Sequence, residues 1–269
     1  MIRKKVGFIG AGNMSHAIIG GLLKAELIPA EKIVVSNRSP QKLERFQKEF
    51  GITAAKDSKE LAKQVDVLVM AVKPNVFDQV AEEILPHLKE EALILSIAAG
   101  ISIAHMEALF GKDKKIIRTM PNTPSFVGEG MSALCPNPNV TAEEVLEVEQ
   151  LFNSFGKSQV VAESLFHSVI GVAGSSPAYV FMFIEAMADG AVSFGMPRDQ
   201  AYAFASQAVY GAAKLVMESG KHPGELKDMV CSPGGTTIEA VTALEKNGFR
   251  GAILEGIKAC VMKSKKMES

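Results

Sequence analysis

Up to residue 162 the chain alternates between short apolar runs and longer amphipathic segments. Apolar runs of strand length lie at 6–9, 32–36, 66–72, 92–97 and 115–119. Between them, apolar residues recur with helical spacing, which predicts helices at 13–25, 40–50, 58–64, 75–86 and 103–110. Runs that are apolar throughout are typical of parallel strands covered on both faces. The pattern therefore predicts an α/β fold with a doubly wound, mostly parallel sheet, which residues 131–135 and 158–162 extend.

From residue 163 onward the pattern is helical throughout. Ser176 and Pro177 predict the start of a helix that runs to Gly195, with the serine as N-cap and the proline at the first helical position. Further helices are predicted at 198–219, 223–229, 237–246 and 250–263. A chain of 269 residues also exceeds the usual size of one domain. We therefore expect two domains, 1–162 and an all-helical 163–269.

Composition and charge narrow the class of protein. The net charge of −1 does not indicate the strongly basic surface that binds nucleic acid or an anionic membrane. The three cysteines, Cys135, Cys231 and Cys260, lack any CxxC spacing, and the five histidines lack ligand spacing, so we expect buried thiols and no metal. We find no targeting segment at the beginning of the sequence and no apolar stretch of the roughly 20 residues that a membrane span needs. These features indicate a cytoplasmic protein.

Residues 6–15, VGFIGAGNMS, form a dinucleotide-binding fingerprint where the first predicted strand meets the first predicted helix. Gly10 and Gly12 supply the tight turn and the close backbone approach that a pyrophosphate needs, and Ser15 takes the third small position. The start of the helix, near Asn13, directs its backbone amides at the phosphates. The context of strand, turn and helix predicts a Rossmann-like domain over 1–162, with cofactor contacts from Gly10, Ala11, Gly12, Asn13 and Met14.

The end of the second predicted strand indicates which cofactor binds. An NAD enzyme usually has Asp or Glu there to bind the ribose 2′-hydroxyl, whereas this chain has Ser36-Asn37-Arg38-Ser39. Arg38 offers a guanidinium to a 2′-phosphate, and Asn37 and Ser39 offer hydrogen-bond donors. The sequence therefore favours NADP(H) and leaves NAD(H) open. The alternative interpretation is an arginine that is simply solvated at a strand end.

Two later strand ends are predicted to complete the cofactor site, because ligands of open α/β sheets bind at the carboxyl ends of the strands. One carries Ala71, Val72, Lys73 and Pro74, and the next ends in residues 96–100, with Ala98 and Ala99. Small side chains there allow the ribose and nicotinamide to lie against the backbone. For Lys73, a phosphate or ribose contact and a purely structural role are equally open. Residues 118–124, stiffened by two prolines, are expected to wall the nicotinamide pocket.

The loop 232–237, Ser-Pro-Gly-Gly-Thr-Thr, leads into a predicted helix. It offers backbone amides and hydroxyls at a helix N-terminus, which suits a small carboxylate. A plain N-cap accounts for one threonine but not for two glycines and two threonines after a proline. The loop is therefore a candidate anion site.

With this loop in view, the whole chain resembles the pyrroline-5-carboxylate reductase family. The resemblance rests on residues 7–14, 71–74, 96–100, 120–124, 174–181, 222–230 and 232–241, of which SPGGTTIEAV (232–241) is the most specific. It implies that NAD(P)H delivers hydride to C5 of L-1-pyrroline-5-carboxylate and gives L-proline. It further implies that residues 163–269 form a dimerisation and substrate-binding domain. Members of the family form homodimers, complete the active site with helices of a neighbouring subunit, and assemble up to decamers.

The resemblance also implies roles for residues of the loop. The substrate carboxylate is expected on the amides of Gly234, Gly235 and Thr236, with Ser232 in the same loop. Thr237 is the expected catalytic residue, whose hydroxyl reaches the ring nitrogen and either orients the iminium or relays its proton.

Three alternatives are weighed against this interpretation. A β-hydroxyacid dehydrogenase needs a catalytic lysine in a motif such as GxxGxGxxxK, and residues 171–181 contain none. A reductase of another cyclic imine is harder to exclude, because the same carboxylate pocket accepts six-membered analogues. A nucleotide-sensing module without enzymatic activity is expected to lose the 232–237 loop first, and this chain keeps it.

Overall fold

The computed structural model describes residues 4–268 of the chain. Its central feature is an eight-stranded sheet. The strands are β1 (Val6–Ile9), β2 (Ile33–Ser36), β3 (Thr53–Ala54), β4 (Val67–Met70), β5 (Leu93–Ser96), β6 (Lys115–Met120), β7 (Gly130–Pro136) and β8 (Gly156–Val160). They lie in the order β3-β2-β1-β4-β5-β6-β7-β8, and every neighbouring pair is parallel except β6 and β7.

Helices connect the strands and continue after the sheet is complete. They are α1 (Asn13–Lys24), α2 (Pro40–Phe50), α3 (Ser58–Gln64), α4 (Phe77–Ile84), α5 (Ile103–Phe110), α6 (Ala142–Asn153), α7 (Phe166–Val169), α8 (Ser176–Ser193), α9 (Arg198–Ser219), α10 (Pro223–Val230), α11 (Thr236–Lys246) and α12 (Phe249–Met267). Short 3₁₀ turns flank several of them, and a π-helical turn at Ile170–Gly174 precedes α8.

The inner strands are buried on both faces, and their side chains alternate between two apolar clusters. In β4, Val67 and Val69 belong to one cluster, whereas Leu68 and Met70 belong to the other. This alternation follows from the pleat of a strand, since successive side chains point to opposite faces. Burial of each large apolar side chain contributes roughly 1.5–3 kcal/mol, so the two clusters fix the sheet and the ends of its strands.

The predicted α/β class with a mostly parallel sheet is confirmed, and the predicted strands agree with the structure to within two residues. Strand β3 was not predicted. It has two residues, neither of them buried, and lies at the edge of the sheet beyond β2. A strand this short and this polar leaves no recognisable apolar run in the sequence.

Of the described residues, 175–259 form a second compact unit, while 4–174 and 260–268 form the first. The second unit is helical, as predicted. Its first helix begins one residue earlier than expected, with Ser175 as the N-cap and Ser176 already helical. The sequence-based boundary between 162 and 163 stays a prediction.

The helical stretch Glu163–Ser193 qualifies the expectation that no segment is suited to a membrane. By length and composition alone it is apolar enough to cross one, with a mean hydropathy of 1.4 over its best window. One such helix is weak evidence, since apolar helices of globular proteins meet the same criterion. The helix is largely exposed in the single chain, because only 11% of that window is buried.

Candidate active site

A cavity of about 400 Å³ opens at the carboxyl ends of β1, β2 and β4. The chain passes from β1 to β2 on one side and later adds β4 on the other side of β1. This reversal is the topological switch point at which open α/β sheets bind ligands. The cavity is lined by Ile9, Gly10, Ala11, Gly12, Ser36, Asn37, Arg38, Lys42, Ser58, Ala71, Val72, Lys73, Asn75, Val76 and Val80.

Gly10 forms the turn that follows β1. Its φ of +113° is a conformation that side chains disfavour, and a Cβ on this residue would lie 2.4 Å from the carbonyl oxygen of Ala71. Its amide donates to the carbonyl of Ser36 at 2.8 Å, and its carbonyl accepts from the Ser15 hydroxyl at 2.6 Å. The third small position of the fingerprint therefore closes the turn with a hydrogen bond.

Gly12 is the N-cap of α1, and neither its backbone conformation nor its protein neighbours require a glycine there. Its φ of −93° is ordinary, and outside its chain neighbours no described atom lies within 4 Å of a Cβ built there. Within residues 4–268 no side chain caps this helix, so its first amides are left for a ligand. An open space in front of a glycine at a helix N-terminus fits a closely bound diphosphate.

Asn37 joins the turn after β1 to the turn after β2. Its side-chain oxygen accepts a hydrogen bond from the Ala11 amide at 3.1 Å, and its amide group donates to the Ser39 carbonyl at 3.2 Å. From the sequence, Asn37 was expected to donate a hydrogen bond to the 2′-phosphate, and that role stays a prediction. In the structure it also holds the glycine turn in shape.

The charge of the cavity is uniformly positive. Arg38, Lys42 and Lys73 line it, and no Asp or Glu is among its described lining residues. Arg38 is exposed, and its guanidinium donates a long hydrogen bond of 3.4 Å to Gln79. Three cations without a carboxylate suit a ligand with several phosphate charges, and the residues present therefore fit NADP.

Eight of the predicted cofactor residues line this cavity, namely Gly10, Ala11, Gly12, Asn37, Arg38, Ala71, Val72 and Lys73. Asn13 lines a smaller adjoining cavity together with Gly12 and Lys42. Met14, Ser39, Pro74, Ala98 and Ala99 lie outside both linings. Ala98 and Ala99 follow β5, which is the neighbour of β4, so they lie at the same edge of the sheet as Ala71.

The same cavity is also lined by three residues that were not predicted from the sequence: Lys42, Ser58 and Asn75. Lys42 lies in the first turn of α2, after Ser39 and Pro40. A basic residue one helical turn beyond Asn37-Arg38 was the available signal. Only the direction of α2 relative to the cavity shows that this lysine belongs to the site.

The loop 232–237 belongs to the second unit and forms a tight turn. Gly234 has a φ of +66°, and the Gly235 amide donates to the Ser232 carbonyl at 3.0 Å. Gly235 is the N-cap of α11, and among the described residues no side chain caps it. The amides of Thr236 and Thr237 begin the helix and have no carbonyl partner within it. The loop therefore presents uncapped amides at the start of an 11-residue helix.

Two further features bear on the chemistry of the chain. Within the described residues no group of three or more His, Cys, Asp or Glu side chains is placed to hold a metal ion. All three cysteines are free. Cys135 is buried as expected, whereas the expectation of a buried thiol is wrong for Cys231 and Cys260, which are only partly buried. Burial raises the pKa of the Cys135 thiol above its ordinary value.

Two family models match the chain. One, described as pyrroline-5-carboxylate reductase dimerisation, matches residues 163–267. The other, described as NADP oxidoreductase, coenzyme F420-dependent, matches residues 5–100. The first covers the helical part of the chain and the second covers the glycine turn and its strands.

Known proteins resemble the chain over its full length. The pyrroline-5-carboxylate reductase of Escherichia coli (strain K12) is 52% identical over 266 residues, 99% of each chain. The structure of a pyrroline-5-carboxylate reductase from Coxiella burnetii has a TM-score of 0.94 and 33% identity, covering 100% of both chains. The pyrroline carboxylate reductase of Plasmodium falciparum, crystallised with NADP bound, has a TM-score of 0.91 and 33% identity, again over 100% of both.

Proposed function

Because the chain belongs to the pyrroline-5-carboxylate reductase family, we propose that it reduces L-1-pyrroline-5-carboxylate to L-proline with NAD(P)H. It is then an oxidoreductase acting on a CH–NH group, and it catalyses the last step of proline biosynthesis. The observation that carries the proposal is that one chain has both a positively charged cavity at Gly10–Gly12 and the uncapped loop 232–237, and that this chain is similar to these reductases over 99% of its length.

The first unit holds the cofactor. The uncapped amides at the start of α1 and the turn at Gly10 receive the diphosphate. Arg38 and Lys42 receive the 2′-phosphate, with Asn37 and Ser39 as hydrogen-bonding groups. Ala71–Pro74, Ala98 and Ala99 lie along the ribose and nicotinamide. The bound cofactor supplies a hydride, and the protein fixes the position from which it is delivered.

The loop 232–237 holds the substrate. The backbone of Ser232, Gly234, Gly235 and Thr236 surrounds the carboxylate, and uncapped amides at the start of α11 bind it. The Thr237 hydroxyl hydrogen-bonds to the ring nitrogen. The reaction moves one hydride to C5, converts the C=N double bond to a single bond, and leaves the added proton on nitrogen. Thr237 therefore holds the nitrogen so that the protonated imine accepts the hydride.

An absorbance assay tests the proposal. Purified protein with NADPH and pyrroline-5-carboxylate should oxidise the cofactor, visible as a fall in absorbance at the nicotinamide band, and proline should form in equal amount. The six-membered imine analogue serves as the second arm. Turnover of that analogue alone would assign another substrate, and no turnover of either would overturn the proposal.

The helical part of the chain supports oligomer formation. Large apolar side chains are exposed on the single chain, among them Phe181 at 60%, Phe194 at 94% and Met217 at 72% exposure. So many large apolar side chains exposed on one helical unit are typical of a surface that another subunit covers. We place dimerisation and substrate binding in residues 163–269, propose a homodimer as the minimal unit, and propose its further assembly to a decamer. Light scattering coupled to gel filtration measures the mass of the particle directly.

The cytoplasm is the compartment we propose for the protein. The support is the presence of three free cysteines, which suit a reducing compartment. Cell fractionation with an antibody to the native protein tests this. Recovery in the membrane fraction would contradict it and would give the helix Glu163–Ser193 another meaning.

A further inference from the structure

Arg118 carries a charge in the interior of the first unit. Its side chain in β6 is only 3% exposed, and its guanidinium lies over the ring of Phe166, 4.6 Å from the centroid. A buried charge is tolerated only when it is paired. Two carboxylates pair with it, Glu163 at 2.8 Å and Glu268 at 2.6 Å. We call Arg118, Glu163, His167 and Glu268 the Arg118 cluster.

One carboxylate of the Arg118 cluster holds the start of α5. Glu163 Oε1 accepts a hydrogen bond from Arg118 and another from the backbone amide of Ile103, at 2.8 Å each. Ile103 is the first residue of α5, and the loop 97–102 leads into it from β5. The end of the loop at Ile103 is therefore held by a carboxylate, Glu163, that is itself ion-paired with Arg118 of β6.

The other carboxylate holds the end of α12. Glu268 Oε2 lies 2.8 Å from His167 Nε2, and His167 Nδ1 lies 2.9 Å from the Ser264 hydroxyl. Burial raises the pKa of Glu268, but Arg118 and His167 outweigh it and hold that pKa below its ordinary value. Glu268 is therefore anionic at neutral pH and remains paired with Arg118.

The end of α12 contacts the same loop directly. Gly100 has a φ of +80°, and a Cβ on it would lie 2.9 Å from the carbonyl oxygen of Met267. The two backbones approach so closely that only a glycine fits. Ala98 and Ala99, the residues placed along the nicotinamide, immediately precede this contact.

We propose that the Arg118 cluster positions the loop 97–102 for the nicotinamide half of the cofactor. Glu163 fixes the loop at α5, and Glu268 fixes the end of α12 against Gly100. The residues of the cluster do not touch the cofactor and act through the loop. The proposal rests on the cofactor site given above. Residues 118–124 were expected to wall the nicotinamide pocket, but the structure buries Arg118 in β6, so we assign a positioning role to it and to Glu268, which directly follows α12.

Two variants and two ligands test it. Glu268→Gln removes the charge that pairs with Arg118 and keeps the shape, and Gly100→Ala intrudes on the Met267 contact. Adenosine 2′,5′-bisphosphate contains only the adenosine half of NADP, whereas NADPH contains both halves. We expect the Kd for NADPH to rise roughly three- to tenfold in each variant, the value of one or two lost polar contacts, with the Kd for the bisphosphate unchanged. Glu255→Gln, an exposed carboxylate on α12, is the matched control.

Each outcome decides the proposal. Equal weakening of both ligands would indicate general destabilisation, and unchanged binding of both would show that the loop does not depend on the cluster. Either result overturns the proposal. If Gly100→Ala fails to fold, Glu268→Gln still decides, and faster hydrogen exchange of residues 98–102 in that variant is the second expected result. These binding measurements contain no imine. A failure of the proposed reaction, seen as absence of turnover in the absorbance assay, is therefore distinguishable from a failure of this proposal.

Discussion

The side-chain oxygen of Asn37 accepts a hydrogen bond from the Ala11 backbone amide at 3.1 Å, so the turn after β2 stabilises the turn after β1. Asn37→Ala removes the acceptor and should weaken both cofactors by roughly three- to tenfold for one lost hydrogen bond, and NADPH more than NADH because its 2′-phosphate also loses a donor. Asn37→Asp keeps the acceptor and adds a negative charge, so it should weaken NADPH while NADH binding is retained. Fluorescence titration with both cofactors measures the four constants. Equal effects of Asp on both cofactors would contradict a 2′-phosphate near Asn37.

Gly10 and Gly12 should respond differently to alanine. Gly10→Ala meets a positive φ and the Ala71 carbonyl, so the Tm should fall by at least about 4 °C, the effect of roughly 2 kcal/mol in a chain of this size. Gly12→Ala meets no protein atom, so its Tm should stay within about 2 °C of the parent while NADPH binding is lost. Thermal unfolding with and without NADPH tests both. Normal NADPH affinity in Gly12→Ala would place the diphosphate elsewhere.

Arg38 and Lys42 should set the preference between cofactors. Arg38→Asp should shift the ratio of kcat/KM toward NADH, because it replaces attraction to the 2′-phosphate by repulsion. Lys42→Ala should weaken NADPH by roughly tenfold, the loss of one charge-assisted contact, and leave NADH nearly unchanged. Lys48→Ala, an exposed lysine in the last turn of the same helix, is the control. A Lys42 variant that weakens both cofactors equally would assign the lysine to the diphosphate instead.

Thr237→Ala should lower kcat and leave NADPH binding nearly intact. A group that orients or protonates the reacting nitrogen contributes roughly tenfold or more to the rate. Thr237→Ser keeps the hydroxyl and should recover most of the activity, while Thr242→Ala, further along α11, should have no effect. Loss of NADPH binding in Thr237→Ala would mean that the loop is assigned to the wrong ligand.

Glu144 should make the stability of the first unit depend on pH. Burial raises the pKa of Glu144, but hydrogen bonds from the Thr141 amide and Lys115, together with the Lys115 charge, lower the pKa below its ordinary value. The folded state then binds the proton more weakly than the unfolded state. This stabilisation is therefore fully present at a pH above the pKa that Glu144 has in the unfolded chain. It is lost as the pH falls through the lower pKa that Glu144 has in the folded chain.

Glu144→Gln tests this dependence. It should lower the Tm at pH 7 by roughly 2–4 °C. The glutamine keeps an acceptor for the Thr141 amide, but it removes the ion pair with Lys115 and the charge that strengthens the capping bond, together worth about 1 kcal/mol. The difference from the parent should shrink as the pH falls below about 4, the ordinary range of a glutamate pKa. A constant difference across the pH range would show that the charge of Glu144 contributes nothing.

The parts of the fold that depend on local pattern were predictable from the sequence. The turn at Gly10 and the start of α6 at Thr141 follow from residue types a few positions apart. The Arg118 cluster was not predictable in this way. Glu163 and His167 are four residues apart, but all other pairs of its members are separated by 45 to 150 residues, and the sequence shows only their polarity. The end of α12 was also set too early, at Lys263. Its last residues, rich in lysine, show no apolar spacing, and contacts such as that of Ser264 with His167 extend the helix beyond them.

Gly10 and Gly12 are glycines for different physical reasons, and this difference has an evolutionary consequence. The conformation of the chain requires Gly10, whereas only a bound molecule gives a reason for Gly12. A descendant that kept the fold and lost its cofactor would be free to accept a side chain at the second position but not at the first. Substitution patterns at these two sites can therefore separate relatives that still bind a nucleotide from those that have retained only the architecture.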